Sequence, residues 1–250
     1  MNSEEKLLIA KINDLFRLCD KYQTPQFSDF LNEAECEIIK KNIGDSLGYN
    51  CCFFGGYENA QRAIFAIFCE WQEIDIKKIP IKVIEVTKKY DKELSHRDYL
   101  GTVLSTGIKR EQVGDILVTD DGAYIFINSD LADYVSANLT KISNTGVRNR
   151  ICDISEIKVP EPEFEIINTV CASKRIDAIV GGILKISRKD ASNLILGEKV
   201  SVNHTVIKNI SFNLKEEDII SVRGYGRFVY LGENGKTRSD RLHIKIKKYI

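Results

Sequence analysis

The order of strand-like and helix-like segments between Ile81 and Ile157 restricts the possible folds of this chain more than any other feature. The strand-like IKVIEV is followed by the helix-like RDYLGTVLSTG, the strand-like DILVT and AYIFIN, the helix-like LADYVSANL and the strand-like VRNRICDI. Asp120-Asp121-Gly122, between the two middle strands, favours a tight hairpin. The sequence therefore predicts a β-α-β-β-α-β domain in the split ferredoxin-like arrangement.

RRM domains use the same arrangement to bind RNA, through aromatic side chains on the third strand within a basic, glycine-containing segment. The corresponding strand here offers Tyr124 and Phe126 without a neighbouring Lys or Arg. Aromatic side chains in strands commonly pack in a core. We therefore predict an RRM-like middle domain over residues 79–158 whose two aromatics have a structural role.

The flanking segments complete a predicted α+β chain. Residues 1–78 are predicted to form an N-terminal α+β region. In it, LLIAKINDLFRLC carries its apolar residues on one helical face, and Asn32 with Glu35 forms a capping-box pattern for a second helix that Asn42-Ile43-Gly44 would end. YNCCFFGGY and AIFAIF are typical of short strands. VPEPEFEI predicts a stiff linker over residues 159–168, followed by a C-terminal domain over residues 169–250.

Charge is sorted along the chain, although 36 Lys+Arg and 36 Asp+Glu cancel overall. The segment from Val170 to Ile250 holds 16 basic and 8 acidic residues and carries +8, so the preceding residues carry −8. A basic segment of this kind usually binds a polyanion such as RNA. The alternative is a surface that lysines merely solvate.

Cationic residues of this basic segment are concentrated where two helices are predicted to begin. They are Lys174 and Arg175 at the first helix, which starts near Ser173, and Arg188 and Lys189 at the second. Ser187 is predicted to cap the second helix with Asp190 in the capping-box position. Cations at a helix start oppose the macrodipole, so their placement indicates an anionic ligand such as an RNA phosphate. Alternatively, they reach into solvent or pair with Asp177 and Asp190.

The predicted RNA-binding residues are Lys174, Arg175, Ser187, Arg188, Lys189, Lys199, Asn203, Lys208, Arg223, Tyr225 and Arg227. Gly224 and Gly226 allow close backbone approach beside Tyr225, which could stack on a base. A glycine-rich bend between strands is the alternative. Asp177 and Asp190 are predicted as structural support, Asp177 by holding Arg175 or Arg188 in place.

The segment SKRIDAIVGGILKISRKDASNLILGEKVSVN resembles the S4 RNA-binding domain. The elements of its pattern are Arg175-Ile176-Asp177, Ser187-Arg188 and Gly197 through Asn203, with His204 where the family often has glycine. The wider chain, including GGY at residues 55–57, HRDYLGTVLSTGIKREQVGDILV and VRGYGRF, resembles the bacterial YlmH family. This resemblance implies binding to rRNA and peptidyl-tRNA on the large ribosomal subunit, a role in ribosome-associated quality control, and a connection to cell division.

Several classes of protein are disfavoured. The 7 cysteines and 3 histidines show no disulfide framework and no spacing for zinc, and we predict no cofactor. The N-terminus lacks a basic start and no apolar run is long enough to cross a bilayer, which predicts a cytoplasmic protein without membrane contact. We also predict a monomer.

Two other functions stay open at this point. S4 domains accompany pseudouridine synthases, whose catalytic Asp lies in an H-R-L-D-type motif. His96-Arg97-Asp98 lacks the leucine and the following Thr/Ser-Gly context, and Asp98 also fits the first turn of a helix. The second alternative is a ribosome-tethered adaptor whose acidic N-terminal part contacts a protein partner. We predict a non-enzymatic RNA-binding protein.

Overall fold

The computed structural model describes residues 3–43, 48–160, 164–203, 205–237 and 240–249. The chain divides into two compact units, Met1–Pro160 and Glu161–Ile250. Both units combine helices with antiparallel strands, which confirms the predicted α+β class. Two predicted details, the helix stop at Gly44 and the turn at His204, lie outside the described residues.

The first eighty residues form two helices beside a small antiparallel sheet. The elements are α1 (Ser3–Tyr22), β1 (Gln26–Leu31), α2 (Glu33–Ile43), β2 (Tyr49–Phe54) and β3 (Ala63–Cys69), with the strand order β1-β3-β2. The predicted capping box is present, because the Asn32 amide donates to Glu35 Oε2 at 2.7 Å and the Glu35 amide donates to Asn32 Oδ1 at 3.0 Å. The two hydrogen bonds satisfy backbone N–H groups at the start of α2 that would otherwise lack a partner.

The middle of the chain forms the predicted β-α-β-β-α-β series. Its elements are β4 (Ile81–Lys88), α3 (His96–Ser105), β5 (Val113–Thr119), β6 (Gly122–Asn128), α4 (Ser129–Asn138), β7 (Lys141–Ile142) and β8 (Thr145–Cys152). The antiparallel sheet has the order β5-β6-β4-β8-β7, in which the short β7 is an addition to the predicted pattern. Thr119 pairs with Gly122, so Asp120 and Asp121 form the predicted tight turn.

The two sheets of the first unit pack face to face. Strand β3 is buried along its whole length, and alternate residues serve two different cores. The core between the sheets consists of Phe30, Ile64, Ala66, Phe68, Ile79, Ile81, Val83, Phe126 and Cys152. The other faces pack against helices, β3 against α1 and α2, and the middle sheet against α3 and α4. The division predicted at residue 78 thus falls between two sheets that share a core.

This packing covers the sheet face on which RRM domains stack bases. Phe126 is fully buried, and its ring centroid lies 5.2 Å from that of Tyr57. Tyr124 is half-buried against the same core. The structural role predicted for Tyr124 and Phe126 is therefore confirmed.

The second unit is one antiparallel sheet with two helices on one face. Its elements are β9 (Phe164–Cys171), α5 (Ile176–Leu184), α6 (Arg188–Leu196), β10 (Val200–Val202), β11 (Thr205–Val206), β12 (Ile219–Val222), β13 (Gly226–Lys236) and β14 (Leu242–Tyr249). The strand order is β11-β10-β12-β13-β14-β9. The predicted inward face of the first helix, with Ile176, Ile179, Val180 and Ile183, is buried against the sheet.

The linker prediction over residues 159–168 was wrong for its second half. Phe164–Cys171 forms β9, which pairs with β14 over its whole length. Ile167 and Cys171 belong to the core of the sheet, and this burial, together with a full ladder of backbone hydrogen bonds, favours a strand. The prolines before it had suggested a longer irregular segment.

The start predicted for the first helix near Ser173 was also wrong, because α5 begins at Ile176 with Arg175 as its N-cap. The preceding backbone is extended and pairs with another segment. The Ile176 amide donates to the Phe212 carbonyl at 2.8 Å, and the Leu214 amide donates to the Lys174 carbonyl at 3.1 Å. Lys174 and Arg175 therefore lie at the entrance of α5 rather than in its first turn.

Within the described ranges, no helix is long and apolar enough to span a membrane. The cysteines are all free thiols. The same residues contain no group of three or more His, Cys, Asp or Glu side chains arranged to hold a metal ion.

Gly56 allows a first test of the packing between the two sheets. It has φ +101°, and a Cβ added there would lie 2.6 Å from two ring carbons of Phe126. We expect Gly56→Ala to lower the free energy of unfolding of the first unit by about 1–3 kcal/mol, because the positive φ and the overpacked ring both oppose a side chain. Fluorescence of Trp71, the one tryptophan of the sequence, follows this unfolding in denaturant.

Gly101→Ala is the matched control. Gly101 lies within α3, and an added Cβ there meets no atom within 4 Å. Alanine is the better helix former by about 0.5–1 kcal/mol, so the control should be unchanged or more stable. Equal unfolding midpoints for the Gly56→Ala variant and the unmodified protein would contradict the tight packing inferred at Phe126.

Candidate nucleic-acid interface

A buried carboxylate joins the starts of α5 and α6. Asp177, in the first turn of α5, is 2% exposed. Arg175 donates to it from Nε at 3.1 Å and from Nη2 at 3.0 Å. Arg188 donates to it from Nε at 2.8 Å and from Nη2 at 3.3 Å. The sequence predicted that Asp177 would hold one of these arginines, and the structure shows contacts to both.

This Arg175–Asp177–Arg188 cluster keeps a net positive charge. Burial by itself raises the pKa of the Asp177 carboxyl, but hydrogen bonds from Arg188 and Arg175 outweigh burial and hold that pKa below its ordinary value. The carboxyl is therefore ionised at neutral pH and cancels one of the two guanidinium charges. The arginine side chains are 34% and 52% exposed, so their remaining N–H groups can reach a ligand.

The start of α6 is capped as predicted. Ser187 Oγ accepts a hydrogen bond from the Asp190 amide at 3.1 Å and donates to Asp190 Oδ2 at 2.6 Å. These contacts cap the start of α6 through the Ser187 side chain, whereas the predicted return hydrogen bond from the Ser187 amide to Asp190 is not found among the described residues. The Ser187 hydroxyl therefore has protein partners without RNA. Lys189, the second residue of α6, is exposed, and no ion pair with a described residue neutralises it.

Two other predicted RNA-binding lysines have carboxylate partners. Lys174 Nζ lies 3.0 Å from Glu233 Oε1, and this hydrogen bond raises the pKa of Lys174. Lys208 Nζ lies 2.8 Å from Glu198 Oε1. All four side chains are substantially exposed, and exposed ion pairs contribute little to stability. A phosphate could therefore compete with either carboxylate.

Asn203 has an internal role that the sequence did not reveal. Its amide nitrogen donates to Asp218 Oδ1 at 2.7 Å, and its amide oxygen accepts from the Ile219 amide at 2.9 Å. Asp218 is 8% exposed and also accepts from the Lys215 amide at 2.7 Å. Both ends of the Asn203 side chain thus join the end of β10 to the start of β12, and its contact with RNA stays a prediction.

The predicted Gly224-Tyr225-Gly226 element is the connection of the β12–β13 hairpin. Gly224 and Gly226 have φ of +89° and +114°, a region that favours glycine. Tyr225 is 48% exposed between them. The Arg223 amide donates to the Lys199 carbonyl at 2.8 Å, which brings these two predicted residues together. Arg227 is half-buried in β13.

The predicted site thus falls into two groups. Asp177 joins Arg175 to Arg188, and a backbone hydrogen bond joins Lys199 to Arg223. Among the described residues, no hydrogen bond or ion pair links these two pairs.

The motif suggestive of pseudouridine synthases has a structural explanation. Asp98 is the third residue of α3, and it accepts hydrogen bonds from Ser95 Oγ at 2.6 Å and from the Ser95 amide at 2.9 Å. These hydrogen bonds lower the pKa of the Asp98 carboxyl. Its position and ionisation are those of a helix cap.

The GGY motif and the GDILV segment meet at a polar cluster that sequence reasoning missed. Asp115 is 8% exposed, and its Oδ2 accepts from Tyr57 Oη at 2.8 Å and from the Gln61 amide at 2.7 Å. Burial is the largest cause that raises the pKa of Tyr57, so its hydroxyl stays protonated and donates. This cluster joins the two sheets of the first unit. No spacing rule in the sequence relates residues so far apart.

Comparisons with known proteins agree with the fold. Residues 73–156 match the family model described as "Putative RNA-binding domain in YlmH". The chain is 27% identical over 247 residues, 98% of this chain and 95% of the relative, to the "Ribosome-associated protein quality control protein P2" of Bacillus subtilis (strain 168). A solved structure, "Cell division protein ylmH from Streptococcus pneumoniae", superposes with a TM-score of 0.55 and 19% identity, over 62% of this chain and 95% of that chain.

These similarities place the protein among those with a YlmH-type domain in the middle of an α+β chain. The chain thus resembles the YlmH family through the domain at residues 73–156 and through its fold.

Replacement of Asp177 tests the arginine cluster. We expect Asp177→Asn to lower the stability of α5 and α6 by about 1–3 kcal/mol, because hydrogen bonds to a charged partner are lost beside a buried site. The folded-state pKa is lowered, so this contribution is present above the unfolded pKa of about 3.9 and is lost as pH falls below it. Amide hydrogen exchange of α5 and α6 at several pH values measures the effect.

Asp240→Asn is the control for this experiment. Asp240 is exposed and pairs with Lys236 at 2.8 Å, so its loss should leave the exchange of α5 and α6 unchanged at every pH. A difference between Asp177→Asn and the unmodified protein that persists undiminished well below pH 4 would contradict the ionised carboxylate as its cause.

Proposed function

We propose that this protein is a non-enzymatic RNA-binding protein that acts on the ribosome. The Arg175–Asp177–Arg188 cluster is the observation that carries the proposal. A single buried carboxylate fixes two guanidinium groups at neighbouring helix starts and leaves them with a net positive charge. Oriented guanidiniums suit phosphate oxygens.

The surroundings of the cluster support an extended polyanion as the ligand. The segment from Val170 to Ile250 carries +8, and Lys189 adds an exposed charge next to Arg188. Lys174, Lys199, Lys208, Arg223, Tyr225 and Arg227 are the further contacts that we propose. RNA with a folded backbone offers phosphates over the span of such a surface.

The relatives support the ribosome as the place of action. The Bacillus subtilis protein is named for ribosome-associated quality control, and similarity along almost the whole chain favours the same setting here. We propose rRNA and peptidyl-tRNA of the large subunit as the RNAs bound, and the cytoplasm as the location. The name of the Streptococcus pneumoniae protein refers to cell division, a connection that a ribosome-tethered adaptor function would accommodate.

The family description places a putative RNA-binding domain at residues 73–156, whereas the proposed main contact lies in the second unit. The two are compatible if the middle domain uses a surface other than its β3-covered sheet face. Base stacking in the RRM manner is excluded on that face, because Phe126 is fully buried there.

We propose that the protein has no enzymatic role, because Asp98 caps a helix. Its carboxylate is engaged by Ser95, so the one motif suggestive of RNA modification is explained without catalysis. Turnover of a ribosomal RNA substrate that stopped in Asp98→Asn, with α3 intact, would overturn this part of the proposal.

A charge-neutral double variant tests the role of Arg188. Arg188→Glu would place a second acid beside buried Asp177 and endanger the fold, whereas Asp177→Asn combined with Arg188→Gln removes one charge of each sign. We expect this double variant to bind ribosomes about 10- to 100-fold more weakly, and the slope of affinity against salt to fall by about one phosphate contact. Co-sedimentation with ribosomes over a series of salt concentrations measures both.

Two single variants complete the design. Lys189→Glu should also weaken ribosome binding, because the side chain is exposed and unneutralised by the described residues. Lys6→Glu, at an exposed position of α1, makes the same charge change and should leave binding as it is. Full binding by the double variant, with hydrogen exchange of α5 and α6 showing a folded unit, would defeat the proposed site.

A further inference from the structure

Among the described residues, no helix covers one face of the sheet of the second unit. Leu242, Ile244 and Ile246 of β14 are buried toward α5 and α6, so the alternate residues of β14 lie on the opposite side. The strand register extends this side onto β9. We name it the outer face; it consists of Phe164, Ile166, Asn168 and Val170 of β9 and His243, Lys245, Lys247 and Tyr249 of β14.

The outer face carries two exposed apolar side chains, Phe164 and Ile166, and two half-buried ones, Val170 and Tyr249. Phe164 is 52% exposed and Ile166 is 39% exposed. Phe164 and Tyr249 are directly opposite each other in the register. Contiguous exposed apolar residues commonly mark an interaction surface.

The same face is basic. None of its eight positions is acidic, and three of them are Lys or His. Lys247 Nζ lies 4.3 Å from the ring centroid of Phe164 and 5.3 Å from that of Tyr249. The Lys247 ammonium group therefore lies close to both aromatic rings.

An open pocket of about 270 Å³ continues the outer face, lined by Asn168, Asn234, His243, Ile244 and Lys245. Enclosed sites for small molecules usually measure about 300–1,000 Å³, so this pocket suits one flat group of a ligand that lies across the surface. Two asparagine amides and an imidazole line it, and these groups can donate to and accept from the edge of a nucleobase.

We propose that the outer face binds single-stranded RNA, with bases stacked on Phe164 and Tyr249 and backbone phosphates beside Lys245 and Lys247. Exposed aromatics interleaved with cations are the combination by which proteins hold single strands without reading their sequence. A purely apolar protein partner would leave the lysine charges without an anionic partner. An acidic peptide would leave the two adjacent rings without a stacking partner.

This inference rests on the proposed RNA-binding function but concerns a different surface. Asp177 and its arginines lie at the starts of the helices that cover the inner side of the sheet. The outer face lies on the opposite side of the same sheet. The second unit would then hold folded RNA at its helices and an unpaired segment on its sheet.

Binding of a fluorescent oligouridine of about ten nucleotides to the full chain, followed by anisotropy, tests the outer face. Phe164→Leu keeps an apolar side chain but removes the ring, and we expect it to bind about 5- to 100-fold more weakly. Phe164→Trp keeps a stacking surface and should retain binding. Lys247→Glu should weaken binding and reduce its salt dependence, whereas Lys215→Glu, exposed in the loop before β12, should not.

The outcomes separate the two proposals. Weak oligouridine binding by Phe164→Leu, together with normal oligouridine binding by the Asp177→Asn, Arg188→Gln double variant, supports the outer face as an independent site. Equal affinities of Phe164→Leu and the unmodified protein would overturn the outer-face proposal and leave the ribosome experiment to decide the helix site. Equal losses in Lys247→Glu and Lys215→Glu would overturn it too, because they would reveal non-specific attraction.

Discussion

Burial of β3 on both faces is the constraint on which the first unit depends. A sheet must cover its apolar faces, and a three-stranded sheet with helices on one side only would leave the other exposed. Here the middle sheet provides the cover, so Phe30, Phe68 and Phe126 meet in one core. Hydrophobic burial of this extent stabilises both sheets together.

The same packing decides what the middle domain cannot do. In an RRM domain the face opposite the helices is open and its aromatics stack on bases. In this chain the corresponding aromatic is in contact with Tyr57 and would collide with a side chain at Gly56. A shared topology therefore does not bring a shared mode of RNA binding, since the function resides in the exposed residues and not in the strand order.

Much of this architecture was predictable because it depends on local patterns. Periodicity and turn residues determine the β-α-β-β-α-β series, and the capping box at Asn32 and the side-chain cap at Ser187 depend on residues three positions apart. The start of α5 was not predictable in this way. It depends on pairing of Lys174 and Ile176 with residues almost forty positions later, and no local signal records such a partner.

The candidate site, too, could be predicted from the sequence only where it depends on local patterns. Basic residues at helix starts could be recognised in the sequence, and the position of Asp177 beside them predicted that it supports one of the arginines. That both arginines share one carboxylate follows from how α5 and α6 pack, which brings residues 177 and 188 together. The internal contacts of Asn203 were missed for a related reason, because its partner Asp218 becomes a neighbour only when β10 and β12 pair.

The two units differ in how their sheet faces are covered. The acidic and basic parts of the sequence follow the same division. In the first unit the middle sheet has both faces buried, and the acidic excess of the chain lies before residue 170. In the second unit helices cover one face, and the other keeps Phe164 and Ile166 exposed next to lysines. An uncovered apolar face costs stability unless something binds it. Because the uncovered face is also basic, hydrophobic and electrostatic arguments favour the same class of ligand, an unpaired nucleic acid strand.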